Sequence, residues 1–205
     1  MRTVKAPEQR RQELMDAAEA LFAAHGIDAT SVNDIIRQAG VAKGTFYWYF
    51  KSKEALLDAL VARSHAVLAA QVGPIAADAR LCALEKLKSI ATAHERLRDS
   101  DPQLRTFFHR PENLSLHLKQ LAVEREQLGP PLAQILRQGT DEGAFDTPHP
   151  DTAAEFLLLT LGVLAHPVCP RDPQNLAEYR QGLQGLLERA LGARDGSLAF
   201  LVRGF

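Results

Sequence analysis

The stretch Thr30-Ser-Val-Asn-Asp-Ile-Ile-Arg-Gln-Ala-Gly-Val-Ala-Lys-Gly-Thr-Phe-Tyr-Trp-Tyr-Phe-Lys-Ser-Lys-Glu54 carries two short helical signals with a break between them. Thr30 or Ser31 offers a capping hydroxyl, and Asp34 follows Ser31 by three. Val32, Ile35, Ile36 and Ala39 then fall at i, i+3, i+4 and i+7, one face of a helix. Gly40 ends that helix, the spacing predicts a second over 42–49, and Ser52 caps another whose stripe is Leu56, Leu57, Leu60, Val61, Val67 and Leu68. Upstream, Leu14, Ala17, Ala18, Leu21 and Phe22 predict a helix from about Pro7 to His25, closed by Gly26. Two short helices joined by a tight glycine turn, with a supporting helix before them, make a helix-turn-helix.

Five of the thirteen aromatic residues stand side by side at Phe46-Tyr47-Trp48-Tyr49-Phe50. At about 100° per residue, Phe46 and Phe50 share one face, Gly44, Thr45 and Trp48 point the other way, and Tyr47 and Tyr49 flank them. A short helix buried on the phenylalanine side therefore presents Trp, Tyr, Thr and Gly to a partner. The neighbouring cations Lys43, Lys51 and Lys53 predict that the partner is anionic and grooved, which points to DNA.

The bulk composition excludes several alternatives. A hydrophobic content of 46% is incompatible with a disordered chain. The longest strongly apolar stretch, Phe156 to Leu164, is far shorter than the roughly 20 residues of a membrane span, and the first residues are not followed by an apolar signal core. The expectation is a soluble, cytoplasmic protein with no membrane partner. Cys82 and Cys169 have no CxxC or CxxH spacing and read as buried free thiols. Net charge is −1; residues 1–53 hold eight Lys/Arg against six acids, leaving +2 there and −3 in the remainder. The net charge argues against nonspecific coating of nucleic acid, while the asymmetry, though small, has the sign expected of a DNA-binding N-terminal part.

Beyond Gly73-Pro74 every segment reads as helix, with proline-containing breaks at Pro102, Pro111, Pro130-Pro131, Pro148 to Pro150 and Pro167 to Pro173. The fold class is all-α. The segment from about Asp151 to His166 is apolar nearly all round, and the next helix carries a narrower stripe. Together they predict a four-helix bundle formed with a second copy, with Phe156, Leu159, Val163, Leu183, Leu186 and Leu187 as the candidate interface; the bland alternative is ordinary monomer core. The tail Ser197 to Phe205 is apolar without an evident role.

Residues 30–54 resemble the helix-turn-helix of the tetracycline-repressor (TetR) family. The resemblance runs through Leu-Phe-x-x-x-Gly at 21–26, Thr-Ser at 30–31, Ala-Gly-Val at 39–41, Lys-Gly-Thr-x-Tyr-x-x-Phe at 43–50 and Ser-Lys-Glu at 52–54. It extends over residues 8–68; beyond them only an all-helical body and Gly139-x-x-x-Gly143 agree. The resemblance implies a helix-turn-helix domain over 8–68, with the motif at 31–50, and a helical effector-binding and dimerisation domain over 69–205. It implies a homodimer that represses transcription at a palindromic double-stranded operator and is released by a small-molecule effector. Lys43, Gly44, Thr45 and Trp48 match base-approaching places, Tyr47, Tyr49 and Lys53 match phosphate-contacting places, and Ser31 and Asn33 can reach backbone or base edge. Two departures are Tyr49, where the family commonly has His, and Phe46, where it has a smaller aliphatic.

For the effector cavity the candidates are His94, Arg105, Phe107, Phe108, His109, Arg110, His117 and His166. The cluster at 105–110 could receive an anionic or aromatic ligand through its cations and rings, or could be a surface turn. The spacing of the histidines assembles no metal site, and no cofactor is indicated. No nucleophile with a neighbouring base, HExxH motif, paired Glu-x-x-His or phosphate loop occurs in the sequence, so catalysis is not expected. The alternatives are a transcriptional activator, an architectural DNA-binding protein, and a helical small-molecule binder without DNA binding.

Overall fold

The computed structural model describes residues 6–100, 114–164 and 173–203. Among these, the elements are α1 (Pro7–His25), α2 (Val32–Ala39), α3 (Lys43–Tyr49), α4 (Lys53–Ala77), α5 (Ala83–Ser100), α6 (Leu114–Asp141), α7 (Pro150–Leu164) and α8 (Leu176–Leu191), with 3-10 turns at Pro173–Asn175 and Ala199–Val202. They divide into two units. The first comprises Met1–Ser64 with Asp101–Lys119, and the second His65–Ser100 with Gln120–Phe205.

In the first unit, local chemistry sets the helix ends. Ser31 caps α2 through a reciprocal box: its hydroxyl accepts from the Asp34 N–H at 3.2 Å, and its own N–H donates to the Asp34 carboxylate at 3.0 Å. Gly40 takes the left-handed conformation at φ 62° that stops α2 and lets α3 begin three residues later. Ser52 accepts from the Ala55 N–H at 3.2 Å and starts α4. Leu14, Met15, Ala18, Phe22, Ile35, Phe46, Phe50, Leu56, Leu57, Leu60 and Val61 are all buried. Burial of the Phe22 and Phe46 side chains contributes about 2–3 kcal/mol each. The Arg63 guanidinium ties α4 to α1, donating to Asp16 at 2.6 Å, Glu19 at 2.7 Å and Gln12 at 3.0 Å.

The second unit is built on Ala83, Leu87, Leu132, Ala133, Ile135, Leu136, Phe145, Ala154, Leu157, Leu183, Leu187 and Leu191. Lys86 is buried at its edge, and its ammonium donates to the Ala76 carbonyl and the Gln138 side-chain oxygen, both at 2.7 Å. Gln138 in turn donates to the Leu81 carbonyl and to Glu142, whose carboxylate accepts from the Ala83 N–H at 2.9 Å. This chain joins the last turn of α4, the start of α5 and the end of α6 without leaving a buried charge unsolvated.

Several sequence expectations change here. Pro130-Pro131 does not break the chain: α6 runs continuously across it. Two prolines inside a helix remove two backbone donors, but Leu128, Leu132, Ala133, Ile135 and Leu136 are buried around them, and that packing outweighs the cost. Likewise α4 passes through Gly73-Pro74 to Ala77, with Val72 and Ala76 buried on either side. By length and composition alone α4 could cross a membrane, yet Leu56, Leu60, Val61, Leu68 and Val72 on it are core residues of the two units. Val67, counted in its apolar stripe, is exposed. Cys82 is exposed rather than buried, because it lies in the turn that caps α5, where its N–H donates to Glu85 at 2.9 Å. Cys169 lies outside the described residues.

The apolar tail also finds its place. Leu198 and Val202 are buried in the second unit's core, with Phe200 and Leu201 packed against it. Glu188, only 3% exposed, accepts from the Leu198 N–H at 2.9 Å and from the Gln184 amide at 3.0 Å. Burial alone would raise its pKa, but the N–H groups of Leu198 and Gly196 and the Gln184 amide outweigh that and hold it below the ordinary value of 4.5. A lowered folded pKa means stability that is complete above the unfolded value and lost as pH falls through the folded one. Glu188→Ala is therefore expected to cost about 1–3 kcal/mol at neutral pH and to shrink the stability difference between neutral and acidic solution. Urea unfolding at both pH values measures this.

Candidate nucleic-acid interface

The helix-turn-helix presents α3 with its phenylalanines inward. Phe46 and Phe50 are buried with centroids 6.0 Å apart, and the Arg11 guanidinium lies 5.4 Å from the Phe50 centroid. With that side fixed, the opposite residues must face out. Trp48 is 67% exposed and Tyr47 41%, while Lys43 and Gly44 are exposed and Thr45 and Tyr49 half-buried. The rings are held rather than loose. The Tyr49 ring meets Trp48 edge-on at 4.5 Å, and Tyr47 meets Phe46 edge-on at 5.3 Å.

Gly44 is adjacent to Trp48 on this surface, one turn earlier. A Cβ built there would have nothing within 4 Å. The protein's own packing thus does not require glycine at this position, and the bare backbone leaves room for an incoming surface. Lys43 and Lys51 are exposed at either end of α3, and neither makes an ion pair among the described residues.

Two of the sequence-predicted contacts have other engagements. Lys53 donates to the Ile27 carbonyl at 2.8 Å and the Thr30 carbonyl at 3.1 Å, so its ammonium fastens the α1–α2 loop instead of standing free at the start of α4. The reason is non-local: α4 starts beside a loop whose carbonyls Thr30 alone does not satisfy, its hydroxyl donating to Gly26 at 2.8 Å. The Ser31 hydroxyl donates to Asp34 at 2.6 Å and closes the α2 cap. That hydrogen bond and the Ser31 N–H keep the Asp34 carboxyl below its ordinary range, with Arg37 adding to the effect. Asn33, exposed on the first turn of α2, retains a free-standing amide surface.

The predicted cavity residues are only partly placed. Arg105, Phe107, Phe108, His109, Arg110 and His166 lie outside the described residues. His94 is exposed on α5, about 100° round the helix from the buried Ala93. His117 is buried on α6. On the same helix Gln120 and Glu124 follow it at i+3 and i+7, a polar stripe the sequence reading did not single out. The Gln120 side-chain oxygen is buried with no hydrogen-bond partner among the described residues, and burial raises the Glu124 carboxyl to about 7. The second unit also has an open cleft of about 390 Å³ lined by Gln71, Ile75, Lys88, Ser89, Thr92, Ala93 and Arg96, none of them a predicted cavity residue. No group of metal-binding side chains is assembled among the described residues.

The candidate interface with a second copy divides in two. Phe156, Leu159 and Val163 on α7 are 42%, 38% and 37% exposed, and Leu186 on α8 is 57% exposed. Leu183 and Leu187 belong instead to the second unit's core, at 5% and 0% exposure. Together with Leu191 they form the i, i+4, i+8 row that fixes how α8 is turned, which leaves Leu186 outward and the other two unavailable to a partner.

Comparison with known proteins agrees with this geometry. A family profile described as bacterial regulatory proteins, tetR family, matches residues 14–60. The HTH-type transcriptional repressor KstR2 of Mycobacterium tuberculosis is 31% identical over 139 residues, 66% of this chain and 69% of that protein. KstR2 of Rhodococcus jostii is 46% identical over 52 residues, 25% of this chain, and the match spans only about a quarter of that relative's length, 26%. Among solved structures, SmeT, the repressor of the Stenotrophomonas maltophilia multidrug efflux pump SmeDEF, shares the fold with a TM-score of 0.68 and 24% identity, covering 91% of this chain and 92% of its own. The motif match, the KstR2 similarity across two thirds of both chains and the shared helical architecture place the chain in the tetR family of bacterial regulatory proteins.

Proposed function

We propose that the protein is a transcriptional repressor that grips a palindromic operator as a homodimer and releases it when a small molecule occupies the helical body. The observation that carries this reading is the outward face of α3, where an exposed tryptophan stands beside a bare Gly44 and between two exposed lysines, Lys43 and Lys51. The name repressor carried by KstR2 supports the sign of the regulation over an activator. Residues 8–68 would bind DNA, with Lys43, Gly44, Thr45 and Trp48 toward bases and Tyr47, Tyr49, Lys51 and the Asn33 amide toward the backbone. Residues 69–205 would dimerise through Phe156, Leu159, Val163 and Leu186 and take the effector. The side-chain oxygen of Gln120, buried without a hydrogen-bond partner among the described residues, would supply a hydrogen-bonding group for such a ligand.

Two half-sites about one helical turn apart, roughly 34–36 Å, must be met together by the two recognition helices. An effector that prefers another separation weakens operator binding by its differential affinity, typically about 1–3 kcal/mol. The test is to select bound fragments from the organism's own DNA and measure affinity against salt. A palindrome is expected, and its absence contradicts the reading. Lys51→Ala, which removes a backbone-facing cation, is expected to reduce the slope of log K against log salt by about 1, whereas Lys43→Ala is expected to relax sequence preference. Lys53→Met, whose ammonium holds loop carbonyls, is expected to lower thermal stability and affinity while leaving that slope unchanged.

A further inference from the structure

The outward face of α3 is poor in the side chains that read base edges in pairs. From Ala42 to Phe50 there is no Arg, Asn, Gln, Asp or Glu. Guanine is met best by a two-pronged Arg or Lys at O6 and N7, and adenine by Asn or Gln at N6 and N7. Only Lys43 on α3 fits either description. What α3 offers in place of forks is apolar area. Among the described residues Trp48 is the most exposed of the large apolar side chains at 67%, and its indole is braced edge-on by the Tyr49 ring at 4.5 Å. Beside it, Gly44 contributes no atom and is not required by internal packing. The feature of the major groove that this apolar area matches is the C5 methyl of thymine, which cytosine lacks.

Resting on the operator-binding reading above, we propose that Trp48 is a specificity-determining residue that reads thymine 5-methyl groups, so that each half-site is defined by thymines under the indole. A guanine within reach of Lys43 completes the readout. An indole held by a neighbouring ring loses little freedom on binding, so covering a methyl group yields its full hydrophobic gain. The Thr45 methyl, half-buried one turn away from the exposed end of the helix, extends the same apolar contact.

The experiment uses the full-length protein and the operator recovered by selection, with thymines replaced singly by deoxyuridine. This change removes the methyl and keeps every hydrogen-bonding group. At one or two positions per half-site the loss is expected to be about fourfold per methyl, and about sixteenfold when both half-sites are changed. Trp48→Ala is expected to bind the thymine and deoxyuridine operators equally, and Trp48→Phe to keep a reduced preference. Because the side chain is exposed, both variants are expected to melt like the parent, which separates lost readout from lost folding. If the parent is indifferent to deoxyuridine at every thymine, or if Trp48→Ala keeps the parent's preference, methyl readout is overturned while operator binding stands. If no operator is recovered at all, both readings fall together.

Discussion

Leu159→Glu is expected to yield a folded single subunit that has lost about 10²- to 10⁴-fold in operator affinity. Leu159 lies between Phe156 and Val163 on one face of α7, each more than a third exposed, and Leu186 adds a fourth apolar side chain from α8. Large side chains left in water along one row mark a surface that another surface covers. In a two-fold interface every substitution occurs twice, so Leu159→Glu brings two carboxylates into one apolar seam. Their desolvation without partners costs several kcal/mol, enough to separate the subunits at micromolar concentration. The fold should survive, because the same position is already partly in water. Light scattering with size exclusion should show a dimer for the parent and a monomer for the variant, with unchanged helical circular dichroism. A variant that remains dimeric and binds operator normally would place the interface elsewhere.

Gly192→Ala is expected to remove about 2–4 kcal/mol from the second unit, a fall in Tm on the order of 10 °C. Gly192 ends α8 at φ 60°, where any Cβ carries a conformational cost of about 1–2 kcal/mol. A methyl there would also lie 2.6 Å from Asp146 Cβ, 2.8 Å from its carbonyl oxygen and 2.9 Å from its nitrogen. Backbone atoms cannot step aside as a side chain can, and this segment is held by the Asp146 N–H donating to the Leu191 carbonyl at 2.8 Å. Gly40→Ala is the internal control. It shares the left-handed conformation, at φ 62°, but a Cβ there meets nothing within 4 Å, so only the conformational cost applies. Thermal unfolding of the two variants separates the terms; equal losses would show that the clash with Asp146 is absorbed.

The helix-turn-helix was legible because its signals are local. The Ser31 and Asp34 box, Gly40, and the inward pair Phe46 and Phe50 lie within a few residues of what they control, and α1 through α3 begin and end close to where the periodicity places them. What was not legible depends on distant chain. Nothing near Lys53 in sequence reveals that the carbonyls of Ile27 and Thr30 will be beside it. The tail 197–203 acquires a role only because Glu188 lies ten residues before Leu198 on a helix that turns back toward it. Leu183, Leu186 and Leu187 are equivalent as letters, and the rotation of α8 against the core separates the outward one from the other two. Proline misled for the same reason: in α6 the break it signals is overridden by burial on both sides.

Trp48 is the chain's single tryptophan, so its fluorescence reports directly on the surface that the account assigns to DNA. Titration with the selected operator duplex is expected to quench and shift that emission, saturating at two chains per duplex, while a scrambled duplex at equal salt gives little change. Emission that stays constant while a mobility-shift assay on the same samples shows the operator fully bound would mean that DNA is held by some other face, and would contradict the assignment of α3.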